Sequence, residues 1–164
     1  MKSSRDLAPV YILNYDASGV ILWKLSSLGR VLATELERLL AHPDFKIGWD
    51  HDAFTYDYLS ELEPELFGQM TAALVQFPGR LGVGTCTYGQ PLSQFINEES
   101  NVRQLTLGLA TVESRPGVSP SVYLMSEHAM HSQIPQLLVG CGFKGAILPL
   151  PHPYASFPIR ADRV

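Results

Sequence analysis

Long apolar runs, clustered basic charge and cysteine are all scarce in this sequence, and each scarcity removes a class of protein. No stretch of about 18 apolar residues occurs, so no membrane-spanning helix and no membrane partner are expected. The amino-terminal segment carries Lys2 and Arg5, but its apolar part is short and is cut by Asp16, so no signal peptide is expected. Twelve Lys and Arg against sixteen Asp and Glu leave a net charge of -4. The basic residues are scattered, which argues against a nucleic-acid partner. Cys86 and Cys141 are the only cysteines. Two thiols build no disulfide framework; both are expected to be free and buried, in keeping with a reducing, cytoplasmic location. A phosphate-binding loop is also missing, because Gly82-Val-Gly84 lacks a third glycine and a following helix. Neither Cys-x-x-Cys nor His-Glu-x-x-His is present, and neither is the Gly-x-Ser-x-Gly turn of serine hydrolases.

What is present is a folding composition. Apolar residues make up 46% and charged residues 17% of 164 positions, which suits one sizeable core and excludes a disordered chain. Val10–Leu13 reads as a first strand. Leu28, Leu32, Leu36, Leu39 and Leu40 then predict a helix that opens at Ser26 or Ser27 and ends before Pro43. Phe45–Trp49 reads as a second strand, Phe54–Phe77 as a helix broken at Pro64, and Leu81–Cys86 as a third strand. A loop over Thr87–Phe95 leads to a helix capped by Asn97, with Val102, Leu105, Leu109 and Val112 as its apolar stripe. Val118–Met125 is the fourth strand, a short helix starts near Ser132, and Gly145–Leu148 is the fifth strand. Five strands alternating with helices predict an α/β fold with a parallel sheet. On length alone an open doubly wound sheet is favoured over part of a closed barrel. Residues 1–150 form the predicted domain, and 151–164 form a proline-rich tail.

Sites in parallel α/β folds lie beyond the carboxyl ends of the strands. Asn14 and Asp16 follow the first strand, Asp50, His51 and Asp52 the second, Thr85, Thr87, Tyr88 and Gln90 the third, and Glu127, His128 and His131 the fourth. Each cluster has a plain alternative. Asp16 also suits a turn, the Asp50–Asp52 triplet a solvated loop, and Glu127 with His131 a helix start. Their agreement on one rim favours a polar ligand, a metal or a carboxylate catalyst. Phe54, Tyr56 and Tyr58 read as core and helix-face aromatics.

The order of segments resembles the amino-terminal catalytic domain of glycoside hydrolase family 38, the α-mannosidases. The residues that carry the likeness run from Gly79-Arg-Leu-Gly-Val-Gly84 through Gln90-Pro91 to Glu99-Ser-Asn-Val-Arg-Gln-Leu105 and Gly108. Upstream, Leu40-Ala-His-Pro-Asp-Phe45 and Pro64-Glu-Leu66 are similar to the family's Pro-Asp-Phe and Pro-Glu-Leu segments. Downstream, Glu127, His131-Ser132, Pro135 and Gly142-Phe143 are similar to its Asp-x-Phe-Gly-His-Ser-x-x-x-Pro segment. The resemblance implies a retaining glycosidase on a seven-stranded (β/α) barrel with bound zinc. It places the catalytic nucleophile at Glu127 and the metal ligands at Asn14, Asp16 and Glu127. Asp50, Asp52, Gln90 and His131 become the expected contacts to a carbohydrate substrate. Asn14 stands where the family has a histidine, and Glu127 where it has an aspartate.

The resulting expectation is a partial barrel of about five parallel strands, of the glycoside hydrolase and deacetylase type. It would act on α-mannosides or related glycosides. A non-catalytic homologue or inactive fragment that binds sugar or a partner is the alternative, and a metal-dependent deacetylase is a third reading. Two open sheet edges would favour self-association.

Overall fold

The computed structural model describes residues 15–16, 25–84, 86–93, 95–124 and 132–147. They form β1 (Tyr15–Asp16), α1 (Leu25–Ala41), β2 (Ile47–Trp49), α2 (Ala53–Leu62), α3 (Pro64–Gln76), β3 (Leu81–Val83), α4 (Glu98–Ser114), β4 (Val122–Leu124), α5 (Ile134–Gly140) and β5 (Gly145–Ile147). The alternation is the predicted one. Val10–Leu13 lies outside the described residues, and β1 pairs with β2 through Tyr15 and Asp16. Asp16 therefore sits within a strand rather than after it.

All strand pairs are parallel. β1, β2 and β3 lie in that order, with Gly48 opposite both Tyr15 and Gly82. β4 and β5 form a second pair. Among the described residues, a backbone bond joins the two groups at the strand ends, where Leu124 N donates to Gly84 O at 2.9 Å. The approach is close: a Cβ at residue 84 would lie 2.6 Å from the Leu124 Cβ. Strand order follows chain order without the reversal that defines a doubly wound sheet. The architecture favoured by length alone is corrected by this order.

Local chemistry explains each helix. In α1 the buried stripe is Leu28, Leu32, Glu35 and Leu39, at helical spacing. Leu40, read as part of it, is 66% exposed, because it sits about 100° round the helix from Leu39. Glu35 occupies the apolar face because its Oε2 accepts the Trp49 indole N–H at 2.8 Å. That bond fixes α1 across β2. α1 begins at Leu25, ahead of the two serines read as its cap. Asp52 caps α2 by accepting from Thr55 N at 3.0 Å. Pro64 takes the first turn of α3, where its missing N–H costs nothing. Asn97 caps α4 by accepting from Ser100 N at 2.8 Å, and Glu98 and Glu99 complement the helix dipole.

One buried cluster lies between α1, α2, α3 and strands β2 and β3, with Trp49 and Tyr56 at its centre. A second gathers Cys86, Leu105 of α4, Tyr123 of β4, Ile134 and Leu138 of α5, and Phe143. At the amino ends of the strands, Arg80 ties the chain together. Its guanidinium donates to Leu39 O at 2.6 Å, His42 O at 2.7 Å and Phe45 O at 3.1 Å, and it lies over the Phe77 ring. The end of α1 thereby gains partners for carbonyls that the helix itself leaves unbonded.

α4 is seated by an absent side chain. Gly108 is buried, and a Cβ there would overlap the Cys86 carbonyl oxygen and lie 2.7 Å from the Thr87 carbonyl carbon. Of the predicted stripe, Leu105 and Val112 are buried and Leu109 is packed against the second cluster, but Val102 is 40% exposed. Asn101 is the buried residue in that turn, because its side chain donates to Ser93 O at 2.9 Å. Replacing Gly108 with Ala should therefore lower unfolding free energy by about 3 kcal/mol or more, as overpacking against rigid backbone does. Urea denaturation measures this; a change under about 1 kcal/mol would show that α4 sits more loosely.

Candidate active site

β2 delivers three polar residues to the carboxyl end of the sheet. Asp50, His51 and Asp52 are 4%, 1% and 0% exposed, so the solvated-loop reading of this triplet is corrected. Their burial comes from the segment after β3. Ala53 N donates to Thr87 O at 3.0 Å, and Phe54 N to Tyr88 O at 2.8 Å, which lays that segment across the start of α2.

The three side chains have different surroundings. His51 stacks on Trp49 with ring centroids 5.6 Å apart and planes 9° apart, and it also meets Tyr56. It belongs to the aromatic core. Strand alternation turns Asp50 the other way. Its charge acts on both Cys86 and the β4 residue Tyr123, which belong to the second buried cluster. Asp52 uses Oδ1 to cap α2, while its Oδ2 accepts from Gln90 Nε2 at 3.4 Å. Burial raises the Asp52 carboxyl above its ordinary value, against the lowering effect of the Thr55 amide and of His51.

Gln90 is half-buried on a tightly held loop. Thr87 Oγ1 donates to Gly89 O at 2.8 Å. From α4, the Gln104 carbonyl accepts from Tyr88 N at 2.8 Å, and the Gln104 Oε1 accepts from Gly89 N at 2.7 Å. Leu92 and Phe95 are exposed on the same loop, beyond Gln90.

The structure thus brings Asp50, Asp52 and Gln90 to one end of β2 and β3. Asn14, Glu127 and His131 lie outside the described residues, and for Asp16 only the backbone is described. Among the described residues no group of three or more His, Cys, Asp or Glu is arranged to hold a metal ion. The ligand set implied by the resemblance, Asn14, Asp16 and Glu127, consists of oxygen donors alone. Zinc favours imidazole and thiolate, while all-oxygen sets suit harder cations, so these residues do not fit zinc. Burial, reinforced by the Asp50 charge, pushes the Cys86 thiol up, which favours its protonated, less nucleophilic form. Sequence reasoning missed Gln104 as a site element. Its only signal is the Arg-Gln-Leu piece of the family-like segment, which shows nothing of what the side chain holds.

No protein-family model matches the chain, and no curated protein matches it by sequence. Solved structures do match. An α-mannosidase from Enterococcus faecalis V583 aligns with TM-score 0.62 and 19% identity, over 82% of this chain and 16% of its own. A 4-α-glucanotransferase from Thermococcus litoralis aligns with TM-score 0.58 and 15% identity, over 82% of this chain and 21% of its own. A family 4 carbohydrate esterase from Streptomyces lividans, solved with acetate, aligns with TM-score 0.54 and 12% identity, over 84% of this chain and 60% of its own. The chain shares their fold and spans less than two thirds of each. Among the described residues no helix is long and apolar enough to cross a membrane.

Two outcomes follow from the titratable groups. With its carboxyl raised, folded Asp52 keeps a proton that the unfolded chain has already lost. Stability should therefore fall as pH rises from the ordinary carboxylate value through the raised one. Asp52→Asn keeps a good capping residue and should flatten that slope in urea titrations across the acidic range; a slope as steep as that of the wild type would remove the assignment. Cys86 is buried and Cys141 only half-buried, so a thiol reagent should label Cys141 first in the native protein. Equal rates at the two would contradict the burial of Cys86.

Proposed function

We propose that this chain is a carbohydrate-processing domain, a glycoside hydrolase-like unit acting on α-mannosides or related glycosides with retention of configuration. It would form part of a seven-stranded (β/α) barrel. The observation that carries this reading is the cluster of Asp50, Asp52 and Gln90 at the carboxyl ends of β2 and β3, within a fold shared with three carbohydrate-active proteins. Support also comes from the strand order, since parallel neighbours in chain order, joined through helices, are the units from which such barrels are built.

Glu127, which follows β4 in the chain, supplies the nucleophilic carboxylate. It attacks the anomeric carbon as the glycosidic oxygen departs with a proton taken from solvent; water then attacks the anomeric carbon of the glycosyl ester, returning a proton to solvent and freeing the Glu127 carboxylate. Asp50 and His131 contact sugar hydroxyls. Gln90 presents its amide to the sugar, and Asp52 orients that amide from below while capping α2. Asn14 and Asp16 line the same rim as oxygen donors. No step runs through zinc, because the donors named for it do not fit that metal.

Hydrolysis of an aryl α-mannoside by the purified chain tests the proposal. Glu127→Gln should lower kcat by at least about a thousandfold, with the circular dichroism spectrum unchanged. Undiminished turnover in that variant would remove Glu127 as nucleophile. Saturable mannoside binding without turnover by the wild type would establish the non-catalytic reading. A second reading, deacetylation of an acetylated sugar, is favoured by the 60% share of the esterase chain that this chain covers. Release of acetate, with no glycoside cleavage, would establish it.

A further inference from the structure

We infer that Gln104, a residue of α4, is the positioning residue that sets where Gln90 meets a sugar. The geometry is a two-point clamp. The main-chain oxygen and the side-chain Oε1 of Gln104 accept from the consecutive amides of Tyr88 and Gly89, at 2.8 and 2.7 Å. Gln90 is the next residue. Its own amide is held from the opposite side, where Nε2 donates to Asp52 Oδ2 at 3.4 Å.

This orientation has a chemical consequence. An amide has distinct donor and acceptor ends. With Nε2 turned to the Asp52 carboxylate, Gln90 leaves its Oε1 as the end available to a ligand. A sugar hydroxyl would then act as donor to Gln90. Gln104 decides how far the loop stands from the sheet, and Asp52 decides which way the amide faces. The clamp is rigid at its base, because residue 108, one turn further along α4, touches the Cys86 carbonyl with no side chain between. Errors in placing a contact group of about 1 Å are costly, so a bond that fixes the preceding peptide acts directly on recognition.

The inference rests on the sugar-binding reading of Gln90, and the experiment separates the two. Amide hydrogen exchange at Gly89 is measured in the full chain, together with binding of methyl α-mannopyranoside. Gln104→Met removes the side-chain acceptor at similar length. It should speed exchange at Gly89 about tenfold and weaken mannoside binding by a similar factor, the loss expected for one hydrogen bond. Gln104→Glu keeps an acceptor and should retain both properties. If Gln104→Met unfolds, Gln104→Asn, which withdraws the amide by one methylene, gives the same readouts. Exchange and binding both at wild-type values in the acceptor-free variant would overturn the clamp. A Gln90→Ala variant that binds as tightly as wild type would instead overturn the sugar role of Gln90, while the exchange result still decides the role of Gln104.

Discussion

The contact between Gly108 and the Cys86 carbonyl is the constraint on which the rest of the site depends. Because no side chain intervenes, α4 lies on the backbone that leaves β3. That seat brings Gln104 within reach of two consecutive loop amides and Asn101 within reach of Ser93. The loop, held in this way, crosses the start of α2 and accepts the amides of Ala53 and Phe54. Burial of Asp50 and Asp52 follows from that crossing. A polar cluster that would otherwise be solvated becomes a buried, oriented one because a helix passes close by at a glycine.

The two ends of the sheet do different work. At the amino ends, Arg80 gathers three carbonyls from the end of α1 and the segment leading to β2. Those bonds join parts of the chain about 40 residues apart and serve stability alone. At the carboxyl ends, the side chains are carboxylates and amides whose burial raises their energy. Asp52 shows the tension: its carboxyl is raised by burial, yet the same oxygen atoms cap a helix and hold Gln90. Such a division, with one rim bracing and the other offering chemistry, is common to parallel α/β folds.

Much of the architecture was legible in the residues. The break at Pro64, the Asn97 cap and the alternation of strands and helices all rest on local chemistry, and all appear where the pattern places them. Legibility failed wherever a distant segment decides. The place of Glu35 in the buried stripe of α1 depends on the Trp49 indole that faces it, a partner 14 residues away. Val102 reads as inward by spacing, but Asn101 takes that place because Ser93 offers a carbonyl. Asp50–Asp52 reads as solvated because nothing local announces the loop that covers it. Sheet order likewise depends on which strands meet, and the Leu124–Gly84 bond that places β4 beside β3 has no local signature.

Several of the bonds that hold the rim together run between main-chain atoms: Ala53 to Thr87, Phe54 to Tyr88, Tyr88 to Gln104 and Leu124 to Gly84. Main-chain bonds do not ask which side chain is attached. A scaffold secured in this way restricts identity at only a few points, such as the glycine under α4, and leaves the remaining positions free to drift. In such a molecule the path of the backbone can match that of proteins whose residues differ at most positions.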